Sequence, residues 1–134
     1  MIDLLRSQLG EAVQSAEQVG DELRVRLPAS SLMAAARLCK EHGYNYPCDL
    51  TAVDTRSELV MVYRLISLNS GQQVVLSVGL PRSGARVPTL SGVYGAAEWL
   101  EREAFDLFGV RFEGHPDLRR ILLTDDWEGH PLLK

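Results

Sequence analysis

The chain has 134 residues, of which 46% are hydrophobic and 24% are charged. This length and composition are typical of one globular domain and exclude an intrinsically disordered chain. The formal net charge of −4 gives no general attraction to phosphate backbones, so we do not expect nucleic acid as a partner. The start, Met1–Arg6, has no basic region followed by an apolar stretch, so no secretory signal is predicted.

The spacing of apolar residues follows helical or strand periodicity along most of the chain. In chain order it predicts a helix at 2–9, strands at 13–19 and 22–27, a helix capped by Ser30 or Ser31 and running to His42, strands at 49–54, 59–68 and 73–80, an irregular loop at 81–88, and a helix capped by Ser91 and stopped by Gly109. This order predicts an α+β fold. We expect a two-layer sandwich with helices on one face of a mostly antiparallel mixed sheet, in the order α-β2-α-β3-α, followed by an extended irregular C-terminal tail.

Charge and large aromatic residues are concentrated near the C-terminus. From Glu98 onward the chain has nine acids and five bases, which accounts for the whole net charge of −4, and residues 1–97 are neutral. Both tryptophans and all three phenylalanines also lie in this last part. Because aromatic residues and arginines are enriched at protein–protein interfaces, we assign 1–109 to an α+β domain and 110–134 to an extended tail that docks on a partner.

Metal-dependent or hydrolytic chemistry is the less favoured interpretation. Cys39 and Cys48 are nine positions apart without a Cys-x-x-Cys motif, so neither a zinc site nor an iron–sulfur cluster is expected on this chain. His115 and His130 each follow a Glu-Gly pair and precede a proline, which is typical of bends rather than of metal ligands spaced along a helix. A stand-alone metal-binding or hydrolytic domain that uses these two histidines remains the alternative.

The C-terminal motifs resemble one protein family. The stretches Glu101–Val110 and His115–Leu122 are similar to the signature of the 30 kDa subunit (the C subunit) of the proton-pumping NADH:quinone oxidoreductase, respiratory complex I. Asp125–Leu132 resembles the second tail motif of that family, and Asp49–Asp54 resembles its mid-domain strand. The family's fold, a small two-layer α/β domain with an extended tail, agrees with the predicted elements. Leu133 departs from the pattern, because the family usually has arginine there.

The resemblance implies a non-catalytic structural subunit in the hydrophilic arm of the complex, which supports electron transfer from NADH to quinone. It would dock on the quinone-module large subunit (the D subunit) and also meet the B and I subunits, peripherally at the cytoplasmic face of the cell membrane. FMN, iron–sulfur clusters and quinone would belong to other subunits, and this chain would carry no cofactor. The resemblance assigns the partner interface and the shape of the docking segment to Glu101, Arg102, Glu103, Asp106, Phe108, Gly109, His115, Pro116, Arg119, Arg120, Asp126, Trp127, Gly129, His130 and Pro131.

Two further expectations follow from the same residues. Relatives of this family also serve membrane-bound energy-converting [NiFe] hydrogenases and formate hydrogenlyases, so the equivalent component of such an assembly is the alternative function. The aromatic residues near the C-terminus would be exposed in an isolated chain, so we expect it to self-associate when its partner is missing.

Overall fold

The structure, a computed structural model, describes residues 1–116. These residues form three α-helices and seven strands. In chain order they are α1 (Ile2–Leu9), β1 (Ser15–Val19), β2 (Glu22–Arg26), α2 (Ala29–Glu41), β3 (Tyr46–Asp54), β4 (Leu59–Ile66), β5 (Gln73–Leu80), β6 (Arg86–Pro88), α3 (Ala97–Phe108) and β7 (Arg111–Glu113), with a short 3-10 turn at Gly10–Ala12 after α1. The predicted α+β fold is confirmed.

Five strands form the main sheet, in the spatial order β1-β2-β5-β4-β3. Neighbouring strands are antiparallel, apart from the parallel pair β2 and β5. Parallel strands need a long crossover connection, and here α2, β3 and β4 lie between β2 and β5 in the chain. The predicted mixed, mostly antiparallel sheet is therefore correct.

One face of this sheet forms the core. Along β4 the side chains of Leu59, Met61, Tyr63 and Leu65 are at most 1% exposed and alternate with half-buried residues. Helix α2 packs over β5, and helix α3 packs over β3. Burial of this apolar face is the largest favourable contribution to folding, because the free energy gained scales with the apolar area removed from water.

The opposite face of the sheet carries ion pairs between strands. Arg26 Nη2 lies 2.9 Å from Glu58 Oε1, and Arg64 Nη1 lies 3.0 Å from Glu22 Oε1. The first pair passes directly over Gly79, where an added Cβ would lie 2.3 Å from Arg26 Nη2. The missing side chain at Gly79 thus leaves the space that the ion pair occupies.

The predicted serine caps are wrong at both later helices. Helix α2 begins at Ala29 with Pro28 at its N-cap, and the Ser31 N–H donates to the Pro28 carbonyl at 3.0 Å, so both serines already lie in the first turn. Helix α3 begins only at Ala97. Residues 90–94 form a separate turn before it, in which the Tyr94 N–H donates to the Leu90 carbonyl at 2.8 Å, and the buried Tyr94 hydroxyl donates to the Tyr44 carbonyl at 2.6 Å.

The predicted end of α3 is correct. Gly109 adopts φ = 80°, in the left-handed region that glycine enters without steric cost, and its N–H donates to the Phe105 carbonyl at 2.9 Å.

A second, two-stranded sheet was not predicted. Strand β6 lies in the region expected to be an irregular loop, and it pairs in parallel with β7 just after α3. The Arg111 N–H donates to the Ala85 carbonyl at 2.9 Å, and the Thr89 N–H donates to the Glu113 carbonyl at 2.9 Å. The first residues after Gly109 are therefore hydrogen-bonded to the domain, while the proposed division at 109/110 stays a prediction.

Within residues 1–116, every helix is too short or too polar to cross a lipid bilayer.

We predict that Leu76→Ala lowers the free energy of unfolding by about 2–5 kcal/mol, because Leu76 on β5 is 0% exposed and its loss leaves a cavity. Urea denaturation measures this difference. Leu68→Ala is the matched control, since Leu68 is 73% exposed and the same substitution there should change stability by no more than about 0.5 kcal/mol. Equal losses in both variants would contradict the assignment of the core.

Candidate functional site

The candidate interface residues divide into two groups. Eight of them lie on α3 or in the segment that follows it and are described by the structure. Seven lie outside the described residues: Arg119, Arg120, Asp126, Trp127, Gly129, His130 and Pro131. The interface assignment as a whole remains a prediction, and the described residues show what holds its first part in place.

Glu101 lies at the centre of the buried face of α3. Its side chain is 0% exposed, although carboxylates are rarely buried so fully unless they are paired. Oε2 accepts a hydrogen bond from the Leu90 N–H at 2.8 Å, and Oε1 accepts one from the Thr89 hydroxyl. The Thr89 oxygen also accepts the Ser91 N–H at 3.1 Å. This carboxylate therefore fixes the turn at residues 89–91 against the helix.

His115 attaches the segment after β7 to the same helix. Its Nε2 lies 2.8 Å from the Glu98 carbonyl oxygen and 3.9 Å from Glu101 Oε1, and the ring itself is buried. A carbonyl oxygen can only accept, so Nε2 carries the proton and donates it. The first turn of α3 and the buried carboxylate thus fix the position of the chain at residue 115.

The buried carboxylate lies in a region of low polarity. Burial raises the pKa of Glu101 above its ordinary value of 4.5, and the hydrogen bonds from Thr89 and Leu90 and the proximity of His115 offset only part of this rise. Burial also raises the pKa of the Tyr63 phenol well above 10.0, with the Glu101 charge as a second cause. The cluster is suited to holding local shape, since both groups are withdrawn from solvent.

The other candidates on α3 differ in exposure. The structure buries Asp106 and Phe108, which are 0% and 8% exposed, and leaves Arg102 and Glu103 half-buried. Gly109 ends the helix, and Pro116 is exposed at the end of the described chain. Glu103 is thus partly accessible from solvent, whereas the side chains of Glu101, Asp106 and Phe108 are withdrawn from it.

Trp99 is an exposed residue that the family resemblance did not single out. Its side chain is 56% exposed, and the Arg102 guanidinium carbon lies 5.4 Å from the centre of its ring. The apolar stripe of α3 runs through Ala97, Leu100 and Ala104, so helical periodicity places Trp99 away from it. The exposure of Trp99 could therefore have been predicted from its position outside this stripe.

The described residues offer little for a metal or a reactive thiol. Within residues 1–116 no group of three or more His, Cys, Asp or Glu side chains is arranged to hold a metal ion. Burial raises the pKa of the Cys39 thiol to about 12, so this cysteine is protonated at neutral pH and packs as a small apolar residue. The alternative that combines His115 with His130 involves a residue outside the described chain.

We predict that Glu101→Gln removes a pH-dependent loss of stability. The pKa of Glu101 in the folded state is raised above 4.5, so the folded protein holds this proton more tightly than the unfolded chain does. Its contribution to stability therefore falls as the pH rises from 4.5 through the folded-state pKa, and the loss is complete above it. The glutamine amide can accept from the Leu90 N–H and donate to Thr89, and it does not titrate. The part of the slope of stability against pH that comes from Glu101 should therefore vanish in the variant.

Urea denaturation of the wild type and the variant between pH 4.5 and neutrality measures the effect. Glu98→Gln is the control, because Glu98 is an exposed residue of the same helix and should leave the slope unchanged. If the wild type and Glu101→Gln lose stability equally with rising pH, the buried carboxylate is not the origin of the slope.

Comparison with known proteins identifies the family. The family model described as the respiratory-chain NADH dehydrogenase 30 Kd subunit matches residues 25–134. The C subunit of NADH-quinone oxidoreductase from Geobacter metallireducens is 38% identical over 135 residues, which cover 97% of this chain and 83% of that protein. The C/D subunit of NADH-quinone oxidoreductase from Methylococcus capsulatus is 40% identical over 121 residues, which cover 81% of this chain and 21% of the longer protein.

Solved structures agree with these matches. A trypsin-resistant fragment of Nqo5 superposes with a TM-score of 0.73 at 32% identity, and the match covers 87% of this chain and 98% of that one. A chain of the membrane-bound sulfane sulfur reductase, an archaeal respiratory membrane complex, superposes with a TM-score of 0.81 at 28% identity and covers 93% of this chain and 75% of that one. The family model and the C-subunit relatives together span nearly the whole sequence, and we conclude that this chain belongs to the 30 kDa subunit family of respiratory-chain NADH dehydrogenase, the family of the NADH-quinone oxidoreductase C subunit.

Proposed function

We propose that this chain is a non-catalytic structural subunit in the hydrophilic arm of a proton-translocating NADH:quinone oxidoreductase, and that it docks on the quinone-module large subunit, the D subunit. The observation that carries this proposal is the Methylococcus capsulatus relative, in which a sequence like this one forms part of a protein named as a C/D subunit. Joining two chains converts their association into an intramolecular event with a high effective concentration. Such a fusion is consistent with two partners that bind each other.

In this proposal, the domain fixes the position of the residues that directly precede the docking segment. His115 and Glu101 attach the chain to α3 just before residues 117–134 begin. A segment that starts from a rigid support loses less conformational freedom on binding, so more of its contact energy appears as affinity. In this proposal Arg119 and Arg120 then pair with acidic groups of the D subunit, because the guanidinium fork can bind a carboxylate with two hydrogen bonds.

The exposed face of α3 provides the second part of the proposed interface. Trp99 and Arg102 form a pair of the residue types that carry much of the binding energy in protein interfaces. The B and I subunits are further proposed neighbours, at the cytoplasmic face of the membrane. In this assembly FMN, the iron–sulfur clusters and quinone are bound by other subunits, and this chain contributes shape and contacts.

A second candidate is the equivalent component of a membrane-bound energy-converting [NiFe] hydrogenase or a formate hydrogenlyase. Its support is the likeness to a chain of the sulfane sulfur reductase, which shows a similar fold in an archaeal respiratory membrane complex of a different activity. Purification of the native complex separates the two candidates. NADH-binding subunits in the complex would support the first candidate, and a [NiFe] subunit would support the second.

We predict that Arg119→Glu combined with Arg120→Glu reduces recovery of the complex with the D subunit by at least about tenfold, because reversing a charge at a desolvated pair costs several kcal/mol. Recovery is measured by co-purification of the two full-length chains. The control combines Arg6→Glu with Arg24→Glu, two exposed residues of α1 and β2 that receive the same change in charge. Wild-type recovery of a chain truncated after Pro116 would contradict a docking role for the segment.

A further inference from the structure

Two arginines lie side by side on the outward face of the β6–β7 sheet. The parallel register places Arg86 opposite Arg111, and it places the next residues, Val87 and Phe112, opposite each other. Val87 and Phe112 are 0% and 3% exposed, so they face the core. Successive side chains of a strand point to opposite faces, and both arginines are accordingly exposed.

These two charges lack an acidic partner within the described chain. Arginines elsewhere in the fold are paired: Arg64 with Glu22 at 3.0 Å, and Arg82 with Asp54 at 2.9 Å. Across residues 1–116, neither Arg86 nor Arg111 forms an ion pair or a hydrogen bond with a carboxylate. Adjacent strands are about 4.8 Å apart. Like charges directly opposite each other on neighbouring strands are destabilising, so this pair favours a ligand that supplies a negative charge.

Arg111 is partly held in place before any partner arrives. Its guanidinium carbon lies 5.4 Å from the centre of the Phe105 ring on α3, a cation–π contact. This contact limits the freedom of a long side chain and so reduces the entropy lost when it binds an anion. An arginine next to it on the neighbouring strand gives a carboxylate two guanidinium groups within reach.

A groove runs beside this pair. Its lining comprises Arg86, Arg111, Phe112, Glu113, Gly114 and His115. We call it the Arg86–Arg111 groove. The carboxylate of Glu113 in the lining disfavours a polyanion such as nucleic acid, and the two arginines favour a ligand with an isolated carboxylate. The groove also reaches His115, which lies two positions before the proposed docking segment, residues 117–134.

We propose that the Arg86–Arg111 groove binds an extended segment of the partner protein that carries an aspartate or glutamate, and that this carboxylate lies between the two guanidinium groups. The inference rests on the proposed docking to the D subunit and adds a second contact beside the docking segment. The arginines are attached to strands and the docking segment begins beside them. The groove and the docking segment would therefore bind the same partner next to each other, with the β6–β7 sheet as their common support.

The first experiment measures the dissociation constant of the full-length chain and its cognate D subunit at several salt concentrations. Arg86→Gln combined with Arg111→Gln should weaken binding by about tenfold or more and should flatten the dependence of the dissociation constant on salt, since two charges that attract the partner carboxylate through salt-screened solvent are removed. Arg6→Gln combined with Arg24→Gln is the matched control and should change neither quantity. Unchanged affinity and salt dependence in the Arg86/Arg111 variant would overturn the groove proposal.

The second experiment identifies the occupant. A photo-crosslinking amino acid placed at Glu113 in the assembled complex should attach to a partner peptide that contains aspartate or glutamate. Attachment to residues 117–134 of this same chain, or to a partner peptide without an acidic residue, would overturn the proposal.

The two proposals fail in different ways. If the wild-type chain binds the D subunit and the groove variants bind equally well, the groove proposal fails and the docking function stands. If the wild-type chain itself does not bind the D subunit, the docking function fails and the groove proposal fails with it.

Discussion

The carboxylate of Glu101 joins the parts of the chain on which the proposed interface depends. It receives the Leu90 N–H and the Thr89 hydroxyl on one side, and the His115 ring approaches to 3.9 Å on the other. Thr89 directly follows β6 and His115 closely follows β7, so the end of one strand of the second sheet and the segment after the other meet α3 at this buried carboxylate, and His115 is hydrogen-bonded there to the Glu98 carbonyl. A buried charge is tolerated only where hydrogen bonds replace its lost hydration, and the backbone N–H and the hydroxyl provide that replacement here.

This arrangement changes the meaning of the family motif on α3. Residues that resemble a signature for partner contact separate into those that the fold buries and those that it leaves partly exposed. Glu101 is fully withdrawn from solvent, whereas Glu103 on the same helix is only half-buried. The exposed Trp99 lies just before the motif and beside Arg102. A fixed residue type in such a motif can therefore serve an interface indirectly, by holding a neighbouring segment in the position from which it binds.

The main sheet was predictable because its signal is local and repeated. Alternation of apolar and polar residues in β2 requires only that one face be buried, and the stripe at Ala97, Leu100 and Ala104 requires the same of α3. Strand β4 is instead a nearly continuous run of β-branched and other apolar residues, which is typical of a strand in the core. The start of α3 was not predictable in this way. Ser91 has the chemistry of a cap, but it lies in a separate turn at residues 90–94, whose buried Tyr94 donates a hydrogen bond to the Tyr44 carbonyl, some fifty positions earlier in the chain. The pairing of β6 with β7 was not predictable either. A three-residue strand is too short to show an alternation of apolar and polar residues, and α3 separates the two strands in the chain.

The sequence by itself determined the α+β class, the order of the long elements, the end of α3 at Gly109 and membership of the 30 kDa subunit family. These follow from periodic burial, from the backbone freedom of glycine and from long motifs, all of which are properties of neighbouring residues. Only the tertiary structure decided that Glu101 is an internal anchor and that Arg86 lies beside Arg111. Burial and charge pairing depend on residues that are distant in the chain and come together only when it folds. The sequence pattern therefore identifies candidate residues, and only the folded structure shows which of them are buried and which are neighbours.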